Sequence, residues 1–315
     1  MNYLKDYREG EKFVGTYLCK QKQILKTKAG KTYYSLTLQD KTGTADGKIW
    51  ELNNGIANFE PMDYIHCEGM VTSFQGNLQM NISRVRISDE GEYDPTDYVP
   101  CTNKDVGEMF SRILKYVASV QNKYLRKILE MYFVENKEFV DAFKKHSAAK
   151  SVHHGFMGGL LEHTLSVTDM CQYFAEHYPM IHRDLLITAA LFHDMGKIQE
   201  ISDFPMNDYT DDGQLLGHIY IGARCMENAA AQIPNFPPKL KNELVHCILA
   251  HHGKMEFGSP KVPAIMEAMA LHMADNADAK LQTLTEVFKA AGDDMGWLGY
   301  NRMFESNLRR TSLPE

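Results

Sequence analysis

Thirteen histidines stand in this 315-residue chain, and all but His66 fall between His146 and His272. The informative ones come in a fixed order with aspartates: His163, the pair His193-Asp194, His218, the pair His251-His252, and Asp275. Imidazole nitrogens and carboxylate oxygens together suit divalent first-row ions, with carboxylate tilting the set toward harder metals. Seven such groups exceed one tetrahedral site. They suffice for two octahedral sites if one carboxylate bridges and water completes the shells. Neighbours on a helix point about 100° apart, so His193 and Asp194 share an ion only if it lies in the wedge between them; Asp194 would then bridge to a second. Lys197 follows three residues later on the face of Asp194, within reach of a bound phosphate, and Gly196 permits close approach of backbone or substrate. The expectation is a centre with His163, His193, Asp194 and Asp275 as the core ligands, His218, His251 and His252 on a second metal, and Asp194 and Lys197 as catalytic groups. His146, His177, His182 and His246 read as ordinary core or surface histidines, and His66 as structural.

These residues need helices to hold them. From residue 104 onward the hydrophobic period is 3.6, predicting helices over 160–177, 184–200, 217–232, 237–251, 261–279, 280–291 and 299–309. The stretch 185–192 is nearly all apolar, so its helix is buried, and the polar end carrying His193-Asp194 is costly unless coordinated or paired. The first part of the chain reads differently. Alternating segments predict strands over 13–24, 32–39, 44–51, 63–74 and 77–87, with turns at Lys41-Thr42-Gly43 and Gln75-Gly76-Asn77 and a short helix over 53–59. Five strands in about 80 residues fit a small closed barrel of the oligonucleotide-binding (OB) type, with an SH3-like barrel as the alternative. Residues 89–102, acidic and proline-punctuated, read as a linker. The expected fold class is multidomain α+β, a five-stranded OB-type β-barrel followed by an all-α domain. The divisions are 1–90, a linker and helical connector over 91–145, and 146–315.

Composition narrows the function. With 34 basic against 41 acidic residues the net charge is −7 and the pI about 6.0, which excludes a wholly basic nucleic-acid coat. Between Lys12 and Lys48, however, eight lysines face two acidic residues, Asp40 and Asp46. Lys26, Lys28 and Lys31 cluster around the loop joining the first two strands, where OB folds take single-stranded nucleic acid. Tyr33 or Tyr34 (alternation turns only one outward), Trp50 and Phe74 are the candidate stacking residues. The six cysteines form no CxxC pair, which suits reduced thiols; with no apolar N-terminal stretch and no membrane-length run, a cytoplasmic protein is expected.

The string Leu191-Phe192-His193-Asp194-Met195-Gly196-Lys197, with the histidine spacing around it, resembles the HD-domain metal-dependent phosphohydrolases over about residues 145–290. That resemblance implies an all-α HD domain in which His163, His193, Asp194 and Asp275 hold one metal. It puts Asp194, His218 and the His251-His252 pair on the second, with His251 preferred of the two. After His252 the chain reads Gly-Lys-Met-Glu-Phe-Gly-Ser-Pro, which departs from the cyclic-dinucleotide phosphodiesterases. The order of barrel, helical connector, His153-His154, Leu160-Leu161-Glu162-His163-Thr164 and HD domain is similar to the YhaM-type 3′→5′ exoribonucleases across nearly the full length.

The expected activity is therefore two-metal hydrolysis of single-stranded RNA, with single-stranded DNA a further candidate, to nucleoside monophosphates. Asp194 bridges, Lys197 offsets phosphate charge, and His154 or His153 contacts phosphate or protonates the leaving group. Asp278, one turn after Asp275, reads as an orienter or cap. Manganese is the first choice of cofactor, with Mg, Fe, Co, Ni and Zn as others. Two alternatives remain: an HD nucleotidase or dNTP phosphohydrolase, and a non-catalytic DNA-binding accessory protein. The methionines near the C-terminus read first as core filling and second as a surface for a homo-oligomer.

Overall fold

The computed structural model describes residues 2–150 and 154–312. Two units emerge, Met1–Cys101 with Asp203–Asn207, and Thr102–Ser202 with Asp208–Glu315.

In the first unit β1 (Lys12–Lys26), β2 (Thr32–Asp40), β3 (Gly43–Ile49), β4 (Tyr64–Phe74) and β5 (Asn77–Ile87) close into a barrel in the order β1-β2-β3-β5-β4. Every pairing is antiparallel except β3 with β5, as in an OB fold. β1 is long enough to pair with β4 through its first half and β2 through its second, bending at an irregularity between Cys19 and Gln21. Alternation turns Leu36 and Leu38 of β2 inward onto Phe13, Tyr17, Ile49 and Ile65, with Tyr34 in phase beside them. Gly69 sits at the bulge of β4, where a Cβ would lie 2.0 Å from the Asn81 carbonyl oxygen. Two expectations fail in this unit. Residues 53–59 form no helix: Asn53 Oδ1 accepts from the Gly55 amide and Ile56 bridges to Val85, turn chemistry that Asn-Asn-Gly favours. Residues 89–102 are no free linker either. Tyr93 stacks on Tyr64 at 4.0 Å, and Tyr98 and Val99 are buried, so aromatic surface overrides the acidic composition.

The second unit contains α1 (Val106–Ser119), α2 (Lys123–Glu130), α3 (Lys137–Lys145), α4 (Gly159–His177), α5 (Arg183–Phe192), the single turn α6 (Lys197–Glu200), α7 (Asp211–Ala231), α8 (Pro238–Ala250) and α9 (Met266–Ala290). Asn122, Asn136 and Thr210 cap α2, α3 and α7 with side-chain oxygens. Residues 185–192 of α5 are all buried, packed in a core with Phe133, Leu160, Leu161, Met226, Ile248 and Leu271. No helix among the described residues is long and apolar enough to cross a membrane.

Three helix expectations change. The span 184–200 is not continuous: α5 stops at Phe192 and the chain turns before α6. Residues 280–290 extend α9 instead of starting a new helix. Residues 299–309 are not helical; β6 (Trp297–Asn301) and β7 (Ser306–Arg309) form a hairpin. Gly292 and Gly299, at φ +58° and +91°, take backbone conformations that a helix excludes and glycine tolerates.

Candidate metal centre

Two helix ends and one helix break set the histidines. His193 caps α5 and His251 caps α8, and each Nδ1–H donates to the carbonyl three residues back, Ala190 at 2.7 Å and Ile248 at 2.6 Å. Those carbonyls would otherwise be left over at the helix ends. His218 follows Gly217, whose φ of +72° breaks α7. Both its backbone N–H and its Nδ1–H donate to Glu200 Oε1, each at 2.9 Å. His252 Nδ1–H donates to the Phe257 carbonyl at 2.8 Å, and His163 Nδ1–H, in α4, to Asp278 Oδ2 at 2.7 Å. A neutral imidazole has one N–H, so these bonds leave all five Nε2 atoms as acceptors.

Four of the five converge on Asp194. Its Oδ2 lies 3.3 Å from His163 Nε2 and 3.4 Å from His193 Nε2; its Oδ1 lies 3.5 Å from His218 Nε2 and 3.6 Å from His251 Nε2. Asp275 Oδ1, from α9, is 3.3 Å from His163 Nε2 and 4.0 Å from His193 Nε2. The His252 ring sits 4.4 Å from that of His251 and 5.1 Å from that of His218. All seven residues singled out by spacing thus meet in one place. Asp194 Oδ1, His218 Nε2 and His251 Nε2 are buried without a hydrogen-bond partner among the described residues. Acceptors gathered in a low dielectric repel unless positive charge lies among them, and this donor set suits divalent metal ions.

The electrostatics agree. Burial pulls the pKa of His163 down, but Asp194, Asp275 and Asp278 outweigh it and hold it well above the usual histidine value. His163 Nε2 and His193 Nε2 are 3.2 Å apart, so in the metal-free chain the second proton that the raised pKa of His163 favours would lie between them; metal binding would release it. Burial opposes ionisation of Asp194, yet Lys197 and His193 push its pKa well below the carboxylate range. Lys197 Nζ lies 2.7 Å from Asp194 Oδ2; burial lowers its pKa, and Asp194 more than restores it. Burial lowers His251, and burial together with His251 lowers His252 to about 4, so both stay neutral and ligand-competent.

A supporting layer fixes the rings. Asp278 accepts from His163, from His154 Nε2 at 2.9 Å and from the Ser166 hydroxyl. His154 is buried, bonded to Asp278; His153 lies outside the described residues. Glu200 is not among the residues that the histidine and aspartate spacing singles out. Its signal is the Lys197–Glu200 spacing, which puts a carboxylate one turn beyond the lysine. Gly196 lets α6 pack under His218: a Cβ there would stand 2.1 Å from the His218 carbonyl oxygen.

On the barrel, Tyr33 faces outward and stacks on Trp50 at 4.6 Å and 28°, and Trp50 Nε1–H donates to Asn81 Oδ1 at 3.0 Å. Tyr34 is a correction: in phase with Leu36, it turns to the core and meets Phe59 edge-on, with the Lys22 ammonium over both rings. Lys26 and Lys28 are exposed at the β1–β2 turn, Lys31 pairs with Glu51 at 3.3 Å, and Phe74 is exposed at the end of β4.

The HD domain family matches residues 160–280. A curated relative from Listeria innocua, named 3′-5′ exoribonuclease YhaM, is 32% identical over 295 residues, 91% of each chain. Its namesake from Bacillus subtilis is 32% identical over 262 residues, 81% of each chain. Among solved structures, the second OB-fold domain of replication protein A from Methanococcus maripaludis covers 29% of the chain at 20% identity and a TM-score of 0.24. At that identity and coverage, with the HD domain in place, the chain belongs to the YhaM family of 3′-5′ exoribonucleases.

Proposed function

We propose that the chain is a metal-dependent 3′→5′ exoribonuclease that degrades single-stranded RNA to nucleoside monophosphates, with single-stranded DNA a secondary substrate. The observation that carries this reading is Asp194, a buried carboxylate with one oxygen toward His163 and His193 and the other toward His218 and His251. In this reading His163, His193, Asp194 and Asp275 hold one ion, and Asp194, His218, His251 and His252 hold another, with manganese the first choice for mixed imidazole and carboxylate ligands. Two divalent ions bound there supply a nucleophile at neutral pH and Lewis acidity toward the phosphate.

The chain's own residues do the rest. Lys197 offsets negative charge growing on the phosphate oxygens in a buried setting, where a fixed cation is most effective. Asp278 and Glu200 fix the rings of His163 and His218. His154 serves by steadying Asp278. On the barrel, Lys26, Lys28 and Lys31 attract the sugar-phosphate backbone while Tyr33, Trp50 and Phe74 offer stacking surface. The polarity of digestion rests on the relatives' names. A cytoplasmic location suits an RNA substrate and six separate thiols.

The test uses metal-stripped protein and a 5′-labelled single-stranded RNA, with and without Mn²⁺, resolved at single nucleotides. The expected result is a Mn²⁺-dependent ladder shortening from the 3′ end and absent in Asp194→Ala. An untouched oligomer alongside hydrolysis of free nucleotides would overturn the exonuclease in favour of a small-molecule phosphohydrolase.

A further inference from the structure

The hairpin after α9 presents aromatic rings beside arginines that have no ion-pair partner among the described residues. β6 and β7 pair with Trp297 opposite Arg309 and Tyr300 opposite Asn307. Strict alternation would send Trp297 and Tyr300, three residues apart, to opposite faces. The register shift between them, at Gly299 with φ +91°, inserts one extra residue and brings both to the same face. Leu298 and Leu308 are half-buried on the other. Arg310 ties the hairpin to the end of α9, donating to the Gly292 carbonyl at 2.6 Å and to the Phe288 carbonyl. The outer face is open: Trp297 is 69% and Tyr300 65% exposed. A two-stranded hairpin has little stability of its own, and leaving two large rings in water adds none.

Charge decides what fits this face. Residues 297–312 carry Arg302, Arg309 and Arg310 against Glu305, in a chain whose net charge is −7; Asp293 and Asp294 stand before the hairpin, in the turn after α9, where Asp294 Oδ1 accepts from the Gly296 amide. Among the described residues Arg309 donates only to neutral acceptors, the Met295 carbonyl and the Ser312 hydroxyl, each at 3.3 Å, and has no ion-pair partner; Arg302 is exposed. Flat rings alternating with guanidinium groups match the alternation of base and phosphate in a single strand.

We propose that this face is a second contact for single-stranded RNA, on the unit that carries the metal centre, with bases stacking on Trp297 and Tyr300 and phosphates meeting Arg302 and Arg309. The inference rests on the nuclease reading above. α9 also carries Asp275, fifteen residues before Ala290, which is about 22 Å along the helix axis. The contact therefore engages RNA several nucleotides from the bond being cut and favours long substrates over short ones.

Trp50 and Trp297 are the two tryptophans of the chain, so Trp50→Phe leaves Trp297 as the sole indole. Metal-stripped Trp50→Phe protein is titrated with a 12-nucleotide oligoadenylate in chelator, following indole emission. Saturable quenching, lost when Arg302→Ala and Arg309→Ala are added, is the expected result. In the parent chain Trp297→Ala should raise KM for a 20-nucleotide RNA about fivefold or more. Flat Trp297 emission, while Trp50 in a Trp297→Phe protein is quenched by the same RNA, would overturn the hairpin contact and leave the nuclease standing. Emission that follows protein concentration and ignores RNA would overturn it in favour of an interface between copies. Silence at both indoles together with no RNA degradation would instead remove the nuclease reading beneath it.

Discussion

Glu200→Gln separates the two sides of the centre. Glu200 Oε1 accepts both the backbone and the ring N–H of His218 at 2.9 Å, and the carboxylate is held ionised by His218 against the opposing effect of burial. Glutamine keeps the shape and an acceptor oxygen but loses the charge that makes Nε2 a better donor to a metal. Removing such an orienting carboxylate weakens metal affinity by about 10- to 100-fold, equivalent to about 1.4–2.7 kcal/mol. His163 is held by a different carboxylate, Asp278, and faces the other oxygen of Asp194. An ion on that side, coupled to the other only through Asp194, should therefore lose less affinity than the ion beside His218. Calorimetric titration of metal-stripped protein with Mn²⁺ should show two phases, only one of them displaced. The Mn²⁺ concentration for half-maximal hydrolysis should rise by the same factor, with the full rate recovered at saturation. Thermal unfolding of the metal-free variant checks that it folds. Equal weakening of both phases, or of neither, would refute the division of the site across Asp194.

Other expectations follow from the same geometry. His252 in the metal-free protein should titrate near 4 by NMR. Its folded value lies below the ordinary 6.5, so it contributes stability that is fully present above about pH 6.5 and lost as pH falls toward 4; metal-free acid unfolding should be milder in His252→Gln. Gly196→Ala should cost about 1–3 kcal/mol in urea unfolding, because the new methyl meets the His218 carbonyl oxygen, and should weaken metal binding; an unchanged urea midpoint would contradict this. Tyr33→Ala should weaken oligonucleotide binding by about 1–3 kcal/mol with little loss of stability. Tyr34→Ala should do the reverse, since its ring packs against the core, and thermal melts with anisotropy titrations distinguish the pair.

Much of the candidate site was readable because clustered imidazoles and carboxylates are chemically distinctive. His163, His193, Asp194, His218, His251, His252 and Asp275 stand out from an apolar helical background, and consecutive helices of one bundle bring them together. Glu200 was legible only as a spacing three residues after Lys197, which any solvated turn could share; the close packing of α6 against α7 is what gives it His218 as a partner. The choice between Tyr33 and Tyr34 was available in principle, because Tyr34 shares the phase of Leu36 and Leu38, and that phase, counted along β2, decides it. The C-terminal error has another cause. Met295, Leu298, Met303 and Leu308 are compatible with a helix in a short window, and the two positive-φ glycines, invisible as angles in the sequence, decide for a hairpin.

His193 and His251 are fixed by carbonyls of their own helices, and His163 and His218 by carboxylates of neighbouring ones, before any ion arrives. The rotamer entropy that a flexible site surrenders on binding, about 0.5–1.5 kcal/mol for each side chain, is here surrendered when the chain folds. A cage of this kind, in the proposed reading, takes up an ion without closing around it, and so has no conformational step with which to reject a competitor. Intrinsic affinity then follows the order in which copper and zinc outrank manganese. The proposed manganese would then be held through supply and not through intrinsic preference, and purified samples should carry a metal content that tracks the growth medium.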